Sequence, residues 1–556
     1  MIPDRTMRQT KRLKDILAIL VRNGFGDLVD AIHSKRRLAR TDGLMAEEQV
    51  RLRHSTRAER LRKVIEELGP TYVKLGQVLS TRPDLVPQEL LAELTKLQDH
   101  VEPFPFDEIR KVVDFELGQP LELVFESFER KPLASASLGQ VHRARLDGQD
   151  VVVKVQRPAI RETMDADIQV MMQLAGLVER RVPGWAVHQP TRIVKEFAQA
   201  LAEELDYRIE AAHQERVAGK FEADPTVRVP RVFHRASTSR ILTMEFVDGI
   251  KVSDLGALRS SHADFEEVAR RGFRFIIEQT LIDGFFHADP HPGNIFVLPD
   301  NVVCFIDFGL MGRLGQQVRD DFVELVYHVI DRNPHRVAES VLSLASADTE
   351  IAVPELERDV ARFMDSYCGR PLREMDTSEL LGEILRALDQ HGLRIAPDLF
   401  LMLKAIFEIE AIAVALAPEL DVLKEAEPYV RRVFLNRFRP QRLAEETAAV
   451  GREFALLFRD APASLRELSR VIRRGSIRIG LDQESMPAVL SASDRIANRL
   501  AFACVLGASL VGSAIMAAAK IPPTWNGISV LGLGGFFVSV VMSVWLLMSI
   551  LRHGRL

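Results

Sequence analysis

FFHADPHPGNIFVLPDNVVCFIDFG, Phe285–Gly309, sets a His-x-Asp, an Asn five residues beyond that Asp, and an Asp-Phe-Gly within one short segment. The apolar run Asn294–Val297, the Asp300-Asn301 turn and the run Val302–Ile306 predict two short strands that hold the polar groups in place. Phosphoryl transfer needs such groups in this order. Asp289 is placed to orient or deprotonate an attacking hydroxyl. Asn294 and Asp307 offer oxygen ligands suited to Mg2+ ions that bridge nucleotide phosphates. Any one of these residues alone reads as part of a polar turn; the joint spacing H-x-D-x-x-x-x-N…D-F-G carries the chemistry.

Upstream, PLASASLGQVHRARL alternates and ends at Asp147-Gly148, and DVVVKVQRP follows, predicting a hairpin with Lys154 in its second strand. Arg240–Val247 reads as a further strand, whereas Ala159–Lys220 and Asp264–Gly284 read as helix, as does most of Arg319–Arg432. The first hundred or so residues are also helical in pattern. Leu13, Ile16, Leu17 and Leu20 form an apolar stripe, and a tract over Arg57–Leu68 breaks at Gly69-Pro70 and resumes through TYVKLGQVLS. The basic first helix suits either an anionic membrane surface or packing on its own domain. A small β-rich lobe, a crossing strand and a helical lobe, with the chemistry at the join, make an α+β, bilobal, protein-kinase-like fold. The expected divisions are a helical extension (1–115), a β lobe with inserted helices (116–247), a helical lobe (248–440), a helical linker (441–494) and a pair of apolar helices (495–556).

A chain of 556 residues is too long for one ordinary core. Its net charge of −5 argues against nucleic acid as a partner. Cys304, Cys368 and Cys504 lie far apart in no metal-like spacing, which fits a reducing setting. Arg5, Arg8, Lys11, Arg12 and Lys14 break up the opening segment, so it does not read as a secretory signal. Leu500–Ala519 and Ile528–Leu551 are apolar runs of about 20 and about 24 residues, long enough to predict two membrane spans. Arg495, Arg499, Arg552 and Arg555 flank the pair and place both ends, with the catalytic domain, on the cytoplasmic side. Ala503, Gly507, Ala508 and Gly512 predict close helix approach.

Three further segments carry a resemblance. LGPTYVKLGQVLSTRPDLVP (Leu68–Pro87) contains a Lys-x-Gly-Gln tract at Lys74, Gly76 and Gln77; LASASLGQV (Leu133–Val141) is an alanine-rich loop; EELDYRIEAA (Glu203–Ala212) has Glu204, Asp206 and then Glu210. With these the chain resembles the AarF/UbiB family of atypical kinase-like proteins, whose bacterial members support ubiquinone biosynthesis. The resemblance implies an ATP- and Mg2+-dependent kinase or ATPase at the bacterial inner membrane, handling prenylated quinone intermediates beside quinone-synthesis enzymes. The basic first helix and the stretch Arg470–Arg478 suit anionic membrane lipid, and a second copy of the chain is a further expected partner. It implies that Lys154 binds phosphate and pairs with Glu210. Asp289 takes the catalytic-base position, and Asn294 and Asp307 hold Mg2+. Lys74, with Gln77 nearby, reaches over the nucleotide and meets the Glu204/Asp206 pair. The loop Leu133, Ala134, Ser135, Ala136, Ser137, Leu138, Gly139, Gln140 and Val141 covers the phosphates. On spacing alone Lys74 and Gln77 read as an exposed pair on a helix.

The loop departs from ordinary kinases in carrying side chains where a glycine-rich loop has bare backbone, which narrows its φ/ψ range. After Asp307-Phe-Gly309 no Ala-Pro-Glu follows and there is no room for a long activation segment, so phosphorylation of protein substrates is disfavoured. Two other readings stand beside this one. An aminoglycoside- or choline-type phosphotransferase shares the Asp/Asn pattern but lacks the Lys74–Gln77 tract. A non-catalytic, nucleotide-gated scaffold for quinone-synthesis enzymes would keep the ligands without turnover.

Overall fold

A computed structural model describes residues 2–26, 56–83, 85–97, 103–181, 189–347, 351–367, 377–436, 507–509, 511–516, 524–525 and 528–553. The chain divides into two compact units, Met1–Ala444 and Glu445–Leu556.

The larger unit opens with helix α1 (Ile2–Arg22), followed by α2 (Arg57–Leu68), α3 (Pro70–Ser80) and α4 (Gln88–Leu94). Thr56 and Glu59 close a capping box at the start of α2. Gly69, at φ +98°, turns the chain, and Pro70 restarts it at a first-turn position where its missing N–H costs nothing. Ile16 of α1 is buried with Val64, Ile65, Leu68 and Leu94, and Arg12 pairs with buried Asp167 at 2.6 Å. The first helix therefore packs on its own unit.

Helix α5 (Phe106–Leu117) leads into the β lobe: β1 (Ser127–Phe128), β2 (Ala134–Ser135), β3 (Gly139–Leu146) and β4 (Gln149–Gln156). Helices α6 (Ile160–Arg181), α7 (Pro190–Glu204) and α8 (Tyr207–Phe221) intervene before β5 (Val227–Arg228) and β6 (Ile241–Glu245). The sheet order is β1-β3-β4-β6, with β2 on β3. Strand alternation divides β4 cleanly. Val151, Val153 and Val155 are fully buried with Ile109 and Val113 of α5. Val152 lies on the other side, against Tyr207 and Ala211 of α8, and Lys154 shares that parity.

The helical lobe begins after β7 (Ile250–Lys251) with α9 (Phe265–Ile277) and a π-helical turn Glu278–Asp283. Next come β8 (Phe285–His287), β9 (Ile295–Leu298), β10 (Val302–Phe305) and β11 (Met311–Arg313). The hairpin expected from the sequence is β9–β10, turned by Asp300 and Asn301 at φ +60° and +57°. It is flanked by β5 and β7, while β8 pairs with β11. Helices α10 (Gln316–Ile330), α11 (Pro397–Leu416) and α12 (Val422–Asn436) follow in the lobe, with further helices between α10 and α11 and with α11 packed along α9. Phe275, Phe286, Phe305 and Phe308 centre its core.

The smaller unit corrects the sequence reading. Among the described residues no helix is long and apolar enough to cross a membrane, which overturns the two expected spans and the inner-membrane location built on them. Hydropathy counts apolar side chains and takes helical continuity for granted. Here Ile528–Ser529 pairs as a strand with Thr524–Trp525, and helix α13 starts at Val530 and runs to His553. The expected small-residue contacts also differ. A Cβ on Gly507 or Gly512 meets nothing within 4 Å, whereas one on Gly535 would lie 2.6 Å from Ser513 Oγ. Ser509 and Ser539 hydroxyls join at 3.0 Å. Residues 441–494, Arg495, Arg499, Arg555 and most of the turn at 520–527 lie outside the described residues.

Candidate active site

Lys154 is the centre of the site. Its Nζ donates to both carboxylate oxygens of Glu210 at 2.9 Å and lies 3.8 Å from Asp307 Oδ1. Glu210 falls in the first turn of α8, one turn beyond Tyr207, whose ring lies beneath the ammonium at 5.2 Å. Burial disfavours the Lys154 charge, but Asp307 and Glu210 outweigh it and raise its pKa well above the usual lysine value. Lys154 in turn holds the Asp307 carboxyl below its ordinary range, against the opposing effect of burial. For Glu210 burial wins and the pKa rises, with Lys154 opposing.

Asp307 sits at φ +62°, a left-handed conformation unusual for a residue with a Cβ, and accepts from Gly309 N–H at 3.3 Å. The next residue, Phe308, is buried in the core, and its carbonyl lies 3.2 Å from His213 Nδ1 on α8. Thus the segment carrying Asp307, just beyond β10, is tied to the helix carrying Glu210. Only Leu310–Gly315 separates Gly309 from α10, and β11 occupies half of that by pairing with β8.

The catalytic-loop candidates meet around His287. This ring is fully buried, accepts from Asp289 N–H at Nδ1 (3.2 Å) and directs Nε2 toward the Ile306 carbonyl at 3.3 Å. The network fixes the neutral tautomer protonated on Nε2, and burial lowers the ring's pKa. It therefore props the loop. Asn294 is buried, and its Nδ2 approaches the Asp289 carbonyl at 3.5 Å. Asp289 itself is met by Lys404 of α11, whose Nζ is 3.0 Å from Oδ1 and 3.1 Å from Glu408. The sequence reading missed Lys404 and Glu408. The available signal was the single lysine of a largely apolar helix, with a glutamate four residues on, because such charges are buried only when paired.

The remaining expected residues divide. Lys74 pairs with Glu204 at the end of α7 and lies near enough to Asp307 to help lower its carboxyl pKa. Asp206 instead caps α8, accepting from Arg208 N–H at 3.1 Å and pairing with the Arg208 guanidinium at 2.6 Å. Gly76 has a packing role: a Cβ there would come 2.3 Å from Leu97 Cδ1 and 3.3 Å from Ile65 Cγ2. Gln77 is half-buried on the same helix.

The alanine-rich loop folds back on β3, with Leu133 N–H on the Val141 carbonyl and Ala136 N–H on that of Gly139, both at 2.8 Å. Gly139 is required by close approach, since a Cβ would lie 2.4 Å from the Val155 carbonyl oxygen. Gln140 turns away from the cleft, its amide engaged by Phe104 backbone and His142. Leu138 joins the helical core and Leu133 is exposed. The hydroxyls of Ser135 and Ser137 are buried with no hydrogen-bond partner. Orphaned donors in such a loop fit a phosphate. Among the described residues no group of three or more His, Cys, Asp or Glu gathers to hold a metal. One carboxylate and one amide match the few protein ligands Mg2+ takes when phosphates supply the rest.

Comparison with known proteins locates the architecture. Residues 96–341 match the ABC1 atypical kinase-like domain, residues 360–421 the UbiB helical domain, and residues 484–552 the ABC1/UbiB kinase-like C-terminal domain. An uncharacterized protein from the hydrogenase 1 5′ region of Clostridium pasteurianum is 31% identical over 98% of this chain and 99% of its own length. The probable protein kinase UbiB of Xanthomonas campestris pv. campestris is 34% identical over 79% of this chain and 81% of its own. That of Cellvibrio japonicus is 35% identical over 73% and 75%.

Proposed function

The chain belongs to the ABC1/UbiB family of atypical kinase-like proteins, and we propose that it binds Mg·ATP between its lobes. On this reading it transfers the γ-phosphoryl group to water or to a small acceptor, in support of ubiquinone biosynthesis. The observation that carries the reading is the Lys154 ammonium held between Glu210 and Asp307. That cation suits the α- and β-phosphates, Asp307 and Asn294 suit Mg2+, and the Ser135 and Ser137 hydroxyls suit phosphate oxygens. Asp289 orients the acceptor and takes its proton as the acceptor oxygen bonds to phosphorus and the bridging bond to ADP breaks. The short Leu310–Gly315 connection favours a small acceptor, because little chain remains on which a peptide could dock.

Calorimetric titration of Mg·ATP into the full chain tests the binding. Heat of binding is expected for the wild type and its loss for Lys154→Met. Quinone profiling of a deletion strain tests the role: the wild type is expected to restore ubiquinone and Asp307→Asn to fail. Rescue by Asp307→Asn would sink the catalytic reading.

A further inference from the structure

We propose that Lys404, reaching from α11, is the cation that meets the transferred phosphoryl group, a charge the catalytic loop does not itself carry. The inference rests on the kinase reading above. The loop from His287 to Asn294 reads His-Ala-Asp-Pro-His-Pro-Gly-Asn and contains neither lysine nor arginine. Lys154 is held by Glu210 and Asp307, on the far side of the nucleotide phosphates from the acceptor. Mg2+ on Asn294 and Asp307 would offset part of the phosphate charge, but the Asp289 carboxylate would still stand beside the γ-phosphate oxygens, and a cation paired with Asp289 itself relieves that repulsion.

Lys404 removes this difficulty by position. Its Nζ is 3.0 Å from Asp289 Oδ1, and its side chain keeps 18% exposure beside a carboxylate that keeps 38%. An ammonium has three N–H donors. Among the described residues Asp289 and Glu408 accept two of them, leaving a third for a phosphoryl oxygen. Glu408, one helical turn away, steadies the ammonium, while its own second oxygen is buried and unpartnered. Asp289 and Lys404 are thus paired as a proton acceptor and a counter-charge at the same point. A purely structural ion pair would not need its acid to be the residue two beyond His287 in the loop.

The test compares Mg·AMPPNP with Mg·ADP by calorimetry on the full chain, because only the former carries a γ-phosphoryl group. For Lys404→Met, AMPPNP affinity is expected to fall roughly 10- to 100-fold, the worth of one charge-assisted hydrogen bond, with ADP affinity kept within about twofold. Lys404→Arg is expected to keep most of the preference. The double variant Lys404→Met/Glu408→Gln removes the carboxylate left unpaired and guards against misfolding; it should show the same selective loss. If the wild type binds both nucleotides and the Met variants keep its preference, the role of Lys404 is overturned and the kinase reading stands. If the wild type binds neither, both fall.

Discussion

Removing the Lys154 ammonium should destabilise the protein in a way that depends on pH, and the structure fixes the direction. In Lys154→Met the Glu210 carboxylate, only 6% exposed, loses its bidentate partner. Leaving a buried charge unpaired costs about 3–5 kcal/mol, but the carboxyl can escape by taking up a proton. Protonating a group with an ordinary value of 4.5 costs about 3.4 kcal/mol at pH 7 and about 0.7 kcal/mol at pH 5. Burial already raises the folded-state pKa of Glu210, and Lys154 is the group that opposes it. The variant's folded state therefore binds more protons than its unfolded state. Its stability is intact below about pH 4.5 and is lost as pH climbs toward the raised folded pKa. For a unit of this size roughly 1 kcal/mol corresponds to about 1 °C in Tm. Thermal melting should then show a drop of about 3 °C at pH 7 that shrinks to about 1 °C at pH 5. Lys154→Met/Glu210→Gln, with the buried carboxylate gone and the remaining Asp307 side chain 49% exposed to water, should melt within about 1 °C of the wild type at both. Equal drops at pH 5 and pH 8 for the single variant would refute the reasoning.

Other substitutions test neighbouring features. Burial, with Asp289 adding and Lys404 opposing, pushes the Glu408 carboxyl up to about 7, so it costs stability increasingly from about pH 4.5 to 7. Glu408→Gln should gain on the wild type across that window by roughly 1–3 kcal/mol after allowance for solvent screening, read from urea midpoints at pH 5 and pH 8. Gly139→Ala drives a Cβ against the Val155 carbonyl and should cost at least about 2 kcal/mol, visible as a lowered melting temperature; an unchanged one would count against the close approach. Asp206→Ala removes the cap of α8 and should cost about 1 kcal/mol without altering Mg·ADP affinity, as checked by melting and calorimetry.

Local pattern in the sequence determined the elements and the order of the chemical groups. The β9–β10 hairpin, the β3–β4 hairpin with Lys154 in its second strand, and the break at Gly69-Pro70 all follow from short-range rules. Turn residues tolerate positive φ, strands alternate, and proline restarts a helix. Tertiary packing decided which groups meet. Lys404 reaches Asp289 across 115 residues because α11 packs along the helical lobe, and no local periodicity encodes that contact. Lys74 finds Glu204 while Asp206 is drawn away to its own helix end, a choice made by backbone donors rather than by spacing. Gln140 looks like a loop ligand in sequence but is spent on Phe104. In the apolar C-terminal runs, composition is a property of the chain, whereas the point at which helix begins depends on which backbone groups pair, as the strand at Ile528–Ser529 ahead of α13 shows.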